Sequence, residues 1–185
     1  MGGVYSQSDL KNLLNETNPL SLFRRIKPLE QEGVLRRFIR GYYVARSFDP
    51  YILCRRIYPN AYISLTTVLA QKLMIGQVPS KTVYAVKTGK KRVFSAVGYT
   101  IIYFGIAPCL LFGYDEKNGI KTATPEKAFL DTLYFHQKGV RFTFDIYQDL
   151  DISKLNRRTI ISMLKRYKNP RFVNFVKGYL DGIVF

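Results

Sequence analysis

The sequence predicts an α+β fold, with an N-terminal winged helix-turn-helix followed by a mixed domain with a small, mainly antiparallel sheet and C-terminal helices. Within residues 1–46, a helix, a turn, a basic helix and a basic hairpin follow one another. Short apolar segments separated by turn signals fill the middle of the chain and indicate strands. Two amphipathic segments close the chain and indicate helices. We therefore expect two domains, residues 1–46 and residues 47–185.

Capping residues and apolar spacing indicate the first two helices. Ser8 is a suitable N-cap for a short helix whose inward residues are Leu10, Leu13 and Leu14. Asn18 caps a second helix, which Pro28 should kink or interrupt and which Gly33 ends. Its inward residues are Leu20, Phe23, Ile26 and Leu29. Its outward residues are Ser21, Arg24, Arg25 and Lys27.

A basic hairpin follows the second helix. Residues 34–39 and 42–44 are predicted strands joined by Arg40 and Gly41, which places a cation at the tip. A basic helix fits the major groove of DNA, and a hairpin tip beside it reaches the backbone or the minor groove. The predicted DNA-binding residues are Ser21, Arg24, Arg25, Lys27, Arg37, Arg40 and Tyr42.

Two features leave the DNA-binding assignment open. Winged helices also serve as protein-binding modules, and the basic residues would then form only a solvated face. The usual first helix of such a domain has almost no room before Ser8. The domain is therefore either trimmed or completed by another part of the chain.

The second domain begins after a linker at residues 45–50. Helices are expected at residues 51–58 and, with Ser64 as N-cap, at residues 63–73. A turn at residues 75–79 and a basic loop at residues 88–92 flank the first of several strands. These strands are residues 82–86, 93–94, 99–104 and 110–114. Residues 96–114 carry no charge, but their glycines and proline favour strands and turns over a membrane-spanning helix.

A well-capped helix is expected after the last strands. Asn118 and Gly119 indicate a hairpin turn just upstream. Thr124 is a good N-cap, Pro125 suits the first helical position, and Glu126 favours the positive end of the helix dipole. The apolar face of this helix consists of Phe129, Leu130, Leu133 and Tyr134. On local physics alone, the helix is a scaffold element that packs on a sheet.

The chain carries a large positive charge, because 29 Lys and Arg against 13 Asp and Glu give +16. Such an excess favours an anionic partner, most often nucleic acid. Two predicted C-terminal helices, capped by Asn156 and Asn169, carry cations and no acid between Asp151 and Asp181. These cations are Lys154, Arg157, Arg158, Lys165, Arg166, Lys168, Arg171 and Lys177. They form either a solvated surface or a docking face for nucleic acid or an acidic protein.

The sequence offers no support for catalysis, a cofactor or a metal site. His136 has no obvious partners, and Cys54 and Cys109 alone make neither a metal site nor a Cys/His nucleophile. No glycine-rich loop has the spacing that cradles phosphate. The start of the chain lacks the features of a secretory signal, and two cysteines suit a reducing cytoplasm.

Four segments of the chain form a pattern by their order and spacing. They are residues 35–44; residues 62–65 with Val68 and Leu69; Pro79 with residues 83–86 and 90–92; and residues 112–114 with residues 123–131. The last is the most specific, because Thr124, Pro125, Glu126 and Lys127 open a helix there. This pattern resembles the AbiEi family, the antitoxins of abortive-infection E type IV toxin–antitoxin systems.

The resemblance implies an N-terminal winged helix that represses its own operon and a C-terminal domain that counteracts a nucleotidyltransferase-like toxin. The expected partners are operator DNA and, functionally, the cognate toxin, with no need for a stable complex. The residues assigned to the partner face are Lys90, Lys91, Arg92, Lys127, Arg157, Arg158, Lys165 and Arg166. The alternative is a non-enzymatic protein- or RNA-docking module whose winged helix does not read DNA specifically.

Overall fold

A computed structural model describes residues 1–76 and 81–182 of the 185-residue chain. The fold is α+β, as the sequence predicts, and the described helices pack around two β-sheets. Pro79 and most of the turn predicted at residues 75–79 lie outside the described residues. The end of the predicted second domain, residues 183–185, also lies outside them.

The N-terminal elements form a three-stranded sheet with two helices. In chain order they are β1 (Val4–Ser6), α1 (Gln7–Leu13), α2 (Pro19–Gln31), β2 (Leu35–Ile39) and β3 (Tyr42–Ala45). Both pairings are antiparallel, and β3 lies between β1 and β2. Gly41 makes the turn between β2 and β3 with a φ of 86°, a conformation that suits glycine. The predicted hairpin is confirmed, and β1 is an additional strand that completes its sheet.

Both faces of the three-stranded sheet are covered. Successive residues of a strand point to opposite faces, so its buried residues divide between two clusters. Leu35 and Tyr43 pack against residues of α1 and α2. These residues are Leu10, Leu22 and Ile26. Val4, Phe38 and Val44 belong instead to the core of the rest of the chain. The hairpin is therefore held between the two N-terminal helices and the main core.

The rest of the chain builds a six-stranded sheet and the remaining helices. In order, the elements are α3 (Pro50–Ile57), β4 (Tyr62–Ile63), α4 (Thr66–Gln71), β5 (Thr82–Thr88), β6 (Arg92–Ala96), β7 (Tyr99–Ile106), β8 (Tyr114–Lys117), β9 (Ile120–Ala123), α5 (Pro125–Gln137), α6 (Arg157–Leu164) and α7 (Pro170–Leu180). The strand order is β6-β7-β5-β4-β9-β8. The sheet is mixed: three of its five pairings are antiparallel, as expected, whereas β5 pairs with β7, and β4 with β9, in parallel.

The parallel pairing of β5 with β7 depends on a close crossing at Gly105. Because β7 lies between β5 and β6, the loop from β5 to β6 must pass over the end of β7. A Cβ atom on Gly105 would overlap the carbonyl oxygen of Gly89 in that loop. Lys87 is buried and holds the loop, since its Nζ donates to the carbonyl oxygens of Thr88 (3.0 Å) and Lys90 (2.8 Å). We call the segment between β5 and β6 the crossing loop.

Several predicted helix starts are confirmed. The caps whose side chains accept a backbone amide, as predicted, are Asn18, Thr124, Asn156 and Asn169. The cap predicted for α1 is wrong, because Ser6 rather than Ser8 caps it and Asp9 completes a capping box. The cap predicted for α4 is also wrong, because the Ser64 hydroxyl donates to the Asp131 carboxylate instead.

Two predictions at prolines differ from the structure in part. Pro28 lies inside α2 without ending it, because the helix continues to Gln31. The strand predicted at residues 110–114 is wrong, because Pro108 opens a short 3-10 helix, Pro108–Leu110, and β8 begins only at Tyr114. No helix of the described ranges is long and apolar enough to cross a membrane.

α5 is the central helix of the main core. It packs against α4, α6 and α7. The predicted core residues Phe129, Leu130 and Leu133 are confirmed, but the burial is not limited to one face. Every residue from 127 to 133 is buried, and these residues include a lysine and an aspartate.

Candidate nucleic-acid interface

The outer face of α2 carries large apolar side chains. Leu20 is 70% exposed and Phe23 is 44% exposed. The prediction that these two residues point inward is wrong, because Leu22 and Ile26 fill the small core between α2 and the sheet. Residues three and four apart share a helix face, so the exposed stripe continues from Leu20 and Phe23 toward the next turn.

The cations predicted on α2 divide into free and bound ones. Arg24 and Lys27 are exposed along the outer stripe, and no ion pair in the described part of the chain involves them. Arg25 instead pairs with Glu16 (N–O distance 3.2 Å) and donates to a backbone carbonyl of the preceding turn. Ser21 is half-buried. Arg25 therefore fastens α2 to that turn, and Arg24 and Lys27 remain available to a ligand.

The hairpin presents exposed cations and one bound tyrosine. Arg37 and Arg40 are exposed, as predicted. The carbonyl of Gly41 accepts the first amide of α1 at 3.0 Å, which fixes the tip of the hairpin. The Tyr42 hydroxyl donates to the carbonyl of Arg56 in α3 at 2.6 Å. This bond uses Tyr42 inside the protein, so we remove it from the predicted DNA-binding set.

Acidic groups near this surface are partly neutralised within the fold. Asp9 caps α1 and pairs with Arg56 of α3. Burial acts to raise the pKa of Asp9, but hydrogen bonds from Ser6 and Arg56 outweigh it and hold the pKa below its usual value. Glu30 and Glu32 remain exposed at the C-terminal end of α2. The unpaired positive charge therefore lies near the middle of α2 and at the hairpin tip.

Most cations of the predicted partner face lie at the surface. Those of the crossing loop and the start of β6 are Lys90, Lys91 and Arg92, all exposed. Nζ of Lys91 lies 5.0 Å from the ring centroid of Phe104. The guanidinium of Arg166 lies 4.5 Å from the ring centroid of Phe112. Both distances allow a cation–π contact, which orients the charge without neutralising it.

α6 carries the remaining exposed cations of that set. Arg158 and Lys165 line a shallow surface groove together with Ile161. Arg157 is exposed but forms an ion pair with Asp181 at the end of α7. Arg158 and Lys165 are therefore the α6 cations that a partner meets without first breaking an internal contact.

Lys127 is not at the surface. Its side chain is fully buried, and Nζ lies 2.6 Å from Oδ1 of Asp131, one turn further along α5. Nζ also donates to the hydroxyl of Tyr167 at 3.1 Å and lies 4.6 Å from the ring centroid of Phe112. The prediction that Lys127 belongs to a partner face is wrong, because no part of its side chain reaches solvent.

Asp131 accepts hydrogen bonds from a second segment. Its Oδ2 accepts from the hydroxyls of Tyr62 (2.9 Å) and Ser64 (2.8 Å). Burial, with the Asp131 carboxylate beside it, raises the pKa of Tyr62 well above its usual value, so the phenol remains a donor. A buried ion pair is stable only when its other hydrogen-bonding groups are satisfied, and these hydroxyls satisfy the carboxylate.

Gly113 also packs closely against Lys127. Its φ is 72°, and a Cβ atom there would lie 3.1 Å from the Cβ and Cγ atoms of Lys127. We call the following residues the Lys127–Asp131 cluster: Tyr62, Ser64, Lys127, Asp131 and Tyr167. Residues 62–65, 112–114 and 123–131, which belong to two of the four segments singled out in the sequence, meet at this cluster. Sequence reasoning missed it, although a Lys and an Asp spaced i, i+4 in an apolar helix signalled the ion pair.

His136 and the cysteines are not brought together. His136 lies against the rings of Tyr147 and Phe175, with centroid distances of 6.2 and 6.5 Å. Burial, with Arg141 nearby, lowers the pKa of His136, so its imidazole is neutral at pH 7. Within residues 1–76 and 81–182, no three His, Cys, Asp or Glu side chains form a group that could hold a metal ion.

Comparison with known proteins gives a likeness of fold. No protein-family model matches the chain, and no curated protein matches it. The crystal structure of the RV2827C protein from Mycobacterium tuberculosis is similar, with a TM-score of 0.64 and 13% sequence identity. The match covers 97% of this chain and 71% of that chain. At this identity the similarity shows a shared fold, which extends over both sheets.

Replacing Lys127 tests the role of the cluster. We expect Lys127→Met to lower the free energy of unfolding by about 3–5 kcal/mol, because Asp131 then remains charged, buried and without its cation. The double variant Lys127→Met/Asp131→Asn keeps an acceptor for Tyr62 and Ser64 and should recover at least about 1 kcal/mol. Urea unfolding followed by circular dichroism measures both.

Lys117→Met is the matched control, because Lys117 is exposed on β8. It should change the free energy of unfolding by less than about 0.5 kcal/mol. A Lys127→Met variant as stable as this control, or a double variant no more stable than Lys127→Met, would contradict the role given to the ion pair.

Proposed function

We propose that this protein is an AbiEi-type antitoxin that also represses its own operon through an N-terminal winged helix-turn-helix. The observation that carries the DNA-binding part is the arrangement of the N-terminal elements. A strand, two helices and a hairpin follow one another, and the last strand pairs with both other strands. This order and pairing support the proposal of a winged helix-turn-helix.

α2 is the recognition helix in this proposal. In helix-turn-helix proteins the second helix of the pair enters the major groove, and residues near its N-terminus contact base edges. Arg24 and Lys27 are exposed on the outer stripe of α2, where they can reach phosphates or guanine edges. Leu20 and Phe23 on the same stripe can contact the methyl groups of thymine.

The hairpin acts as the wing. Arg37 and Arg40 are exposed there, and the tip is fixed to the start of α1 by the bond that Gly41 accepts. A cation on a fixed tip contacts a phosphate with less loss of conformational freedom than one on a mobile loop. Both the helix stripe and the hairpin tip therefore support an extended contact with the DNA backbone.

The antitoxin part rests on the resemblance to the AbiEi family. Residues 62–65 are far in sequence from residues 112–114 and 123–131, and their contacts in the Lys127–Asp131 cluster give the two segments a common structural role. These contacts favour a common architecture with that family over a chance similarity of short segments. The surface that opposes a nucleotidyltransferase-like toxin is then drawn from the exposed cations of the crossing loop and α6.

A second candidate is a protein- or RNA-docking module that does not read DNA. It is favoured by the burial of the hairpin against the main core through Phe38 and Val44, and by the bond from Tyr42 to α3. These contacts leave the hairpin less surface for DNA than a free wing has. The groove of Arg158, Ile161 and Lys165 on α6 would be its docking surface.

The variant Arg24→Ala/Lys27→Ala/Arg40→Ala tests the DNA-binding part. We expect it to weaken binding to the DNA upstream of its own gene more than tenfold. The slope of log affinity against log salt should become less negative by about 0.9 for each phosphate that the variant no longer neutralises. Fluorescence anisotropy at several salt concentrations measures both quantities.

Two controls sharpen this experiment. Lys72→Ala/Lys117→Ala/Lys177→Ala removes the same charge from exposed residues outside the interface and should keep the preference for the upstream DNA. Arg25→Ala should leave the salt slope unchanged, because Arg25 is already paired with Glu16. If the charge control weakens binding as much as the interface variant, the DNA-reading surface is misassigned.

The variant Arg158→Glu/Lys165→Glu tests the antitoxin part. We expect it to fail to rescue cells that express the cognate toxin, while its affinity for the upstream DNA remains within about twofold of the original. Lys72→Glu/Lys117→Glu, with the same change in charge, should still rescue the cells. Full rescue by the α6 variant would mean that these cations are only a solvated face.

A further inference from the structure

A cleft of about 670 Å³ opens between the C-terminal end of α5 and the turn that joins α6 to α7. Residues that follow β7 form its third side, and Cys109 is exposed there. None of the residues of α2 or the hairpin lines it. The cleft is therefore a separate surface from the proposed DNA interface.

The described residues that line the cleft include four cations and no acid. The cations are Lys138, Arg166, Lys168 and Arg171. None of them takes part in an ion pair within residues 1–76 and 81–182. Asp131, which lies beneath the cleft near the hydroxyl of Tyr167, is neutralised by Lys127. The positive charge in the cleft is thus left without a counter-ion from the described parts of the protein.

Aromatic and aliphatic groups form the wall of the cleft. Tyr134 and Tyr167 both line it, with their ring centroids 5.9 Å apart, and Leu110 lies beside them. Nζ of Lys138 lies 4.3 Å from the ring centroid of Tyr134. Arg166 lies over the ring of Phe112 in the same way. These contacts hold two of the four cations in place before any ligand arrives.

The N-terminus of α7 adds a further feature that favours an anion. Asn169, which lines the cleft, caps this helix by accepting the amide of Arg171 at 3.0 Å. Because Asn169 lines the cleft, the positive end of the dipole of this 11-residue helix lies at the cleft. The helix end, the four cations and the aromatic wall all converge on the same space.

We infer that this cleft binds a nucleotide, with its phosphate at Lys168, Arg171 and the start of α7 and its base against Tyr134, because Tyr167 is only 6% exposed. Its volume lies in the range of small-molecule sites. Lysine and arginine without acidic neighbours select a phosphate, and aromatic faces stack with a base whatever its sequence. The nucleotide is either free or the 5′-phosphorylated end of a nucleic-acid strand, since both present the same chemistry.

Isothermal titration calorimetry on the full chain tests this inference with AMP, adenosine and inorganic phosphate as probes. We expect AMP to bind at least tenfold more tightly than adenosine or phosphate, because only AMP engages both halves of the cleft. The variant Lys168→Ala/Arg171→Ala should weaken AMP binding at least tenfold. Lys72→Ala/Lys117→Ala, with the same loss of charge at exposed residues outside the cleft, should leave AMP binding unchanged.

A second readout uses the exposed thiol of Cys109. Saturating AMP should slow its alkylation by a maleimide at least threefold, and the buried Cys54 should remain unmodified in the folded protein. Tetranucleotides with and without a 5′-phosphate identify the source. Tighter binding of the phosphorylated strand than of AMP points to a strand end, and equal or weaker binding points to a free nucleotide.

AMP that binds no more tightly than inorganic phosphate would overturn the inference, since the aromatic wall would then contribute nothing. Equal loss of binding in the cleft variant and the charge control would overturn it as well. Both results leave the DNA-binding proposal intact, because that proposal depends on Arg24, Lys27 and Arg40.

Discussion

The buried ion pair between Lys127 and Asp131 is the contact on which the rest of the structure depends. Removing two charges from water costs several kcal/mol for each ion, and the pair is stable only when its remaining groups are hydrogen-bonded. The hydroxyls that satisfy it come from β4 and its following residue, and from Tyr167 just before α7. The pair therefore fixes α5 against the six-stranded sheet and the C-terminal helices. The cleft and the basic surface of α6 take their positions from that arrangement.

The Lys127–Asp131 cluster is accompanied by an unfavourable backbone conformation at the start of α4. Ser64, which donates to Asp131, lies one residue before the N-cap position of α4. Leu65 begins that helix with no side-chain cap and with a φ of 56°, a left-handed conformation. Such a conformation costs a non-glycine residue on the order of 1–3 kcal/mol. The side chain of Leu65 is fully buried, and its packing in the core stabilises this unfavourable backbone conformation.

Local chemistry explains which parts of the fold the sequence predicts. The cap at Thr124 and the N-terminal hairpin depend on a few neighbouring residues, and both are confirmed. The missed features depend on distant contacts. The insertion of β7 between β5 and β6 needs the crossing at Gly105, and Lys127 is buried because Asp131 lies one turn away. In the candidate site, the exposure of the charged side chains could be predicted from the sequence. The contacts of Arg25 and Tyr42 could not, because their partners come close only in the folded chain.

The net charge of +16 would attract any polyanion, so DNA affinity alone does not establish a repressor. The most direct measurement is a salt titration of the unaltered protein on the DNA upstream of its own gene and on a scrambled duplex. The account predicts a preference of about a hundredfold or more for the upstream DNA that persists near about 150 mM salt. Equal affinities for the two duplexes that fall together as salt rises would contradict sequence-specific reading by α2 and the hairpin.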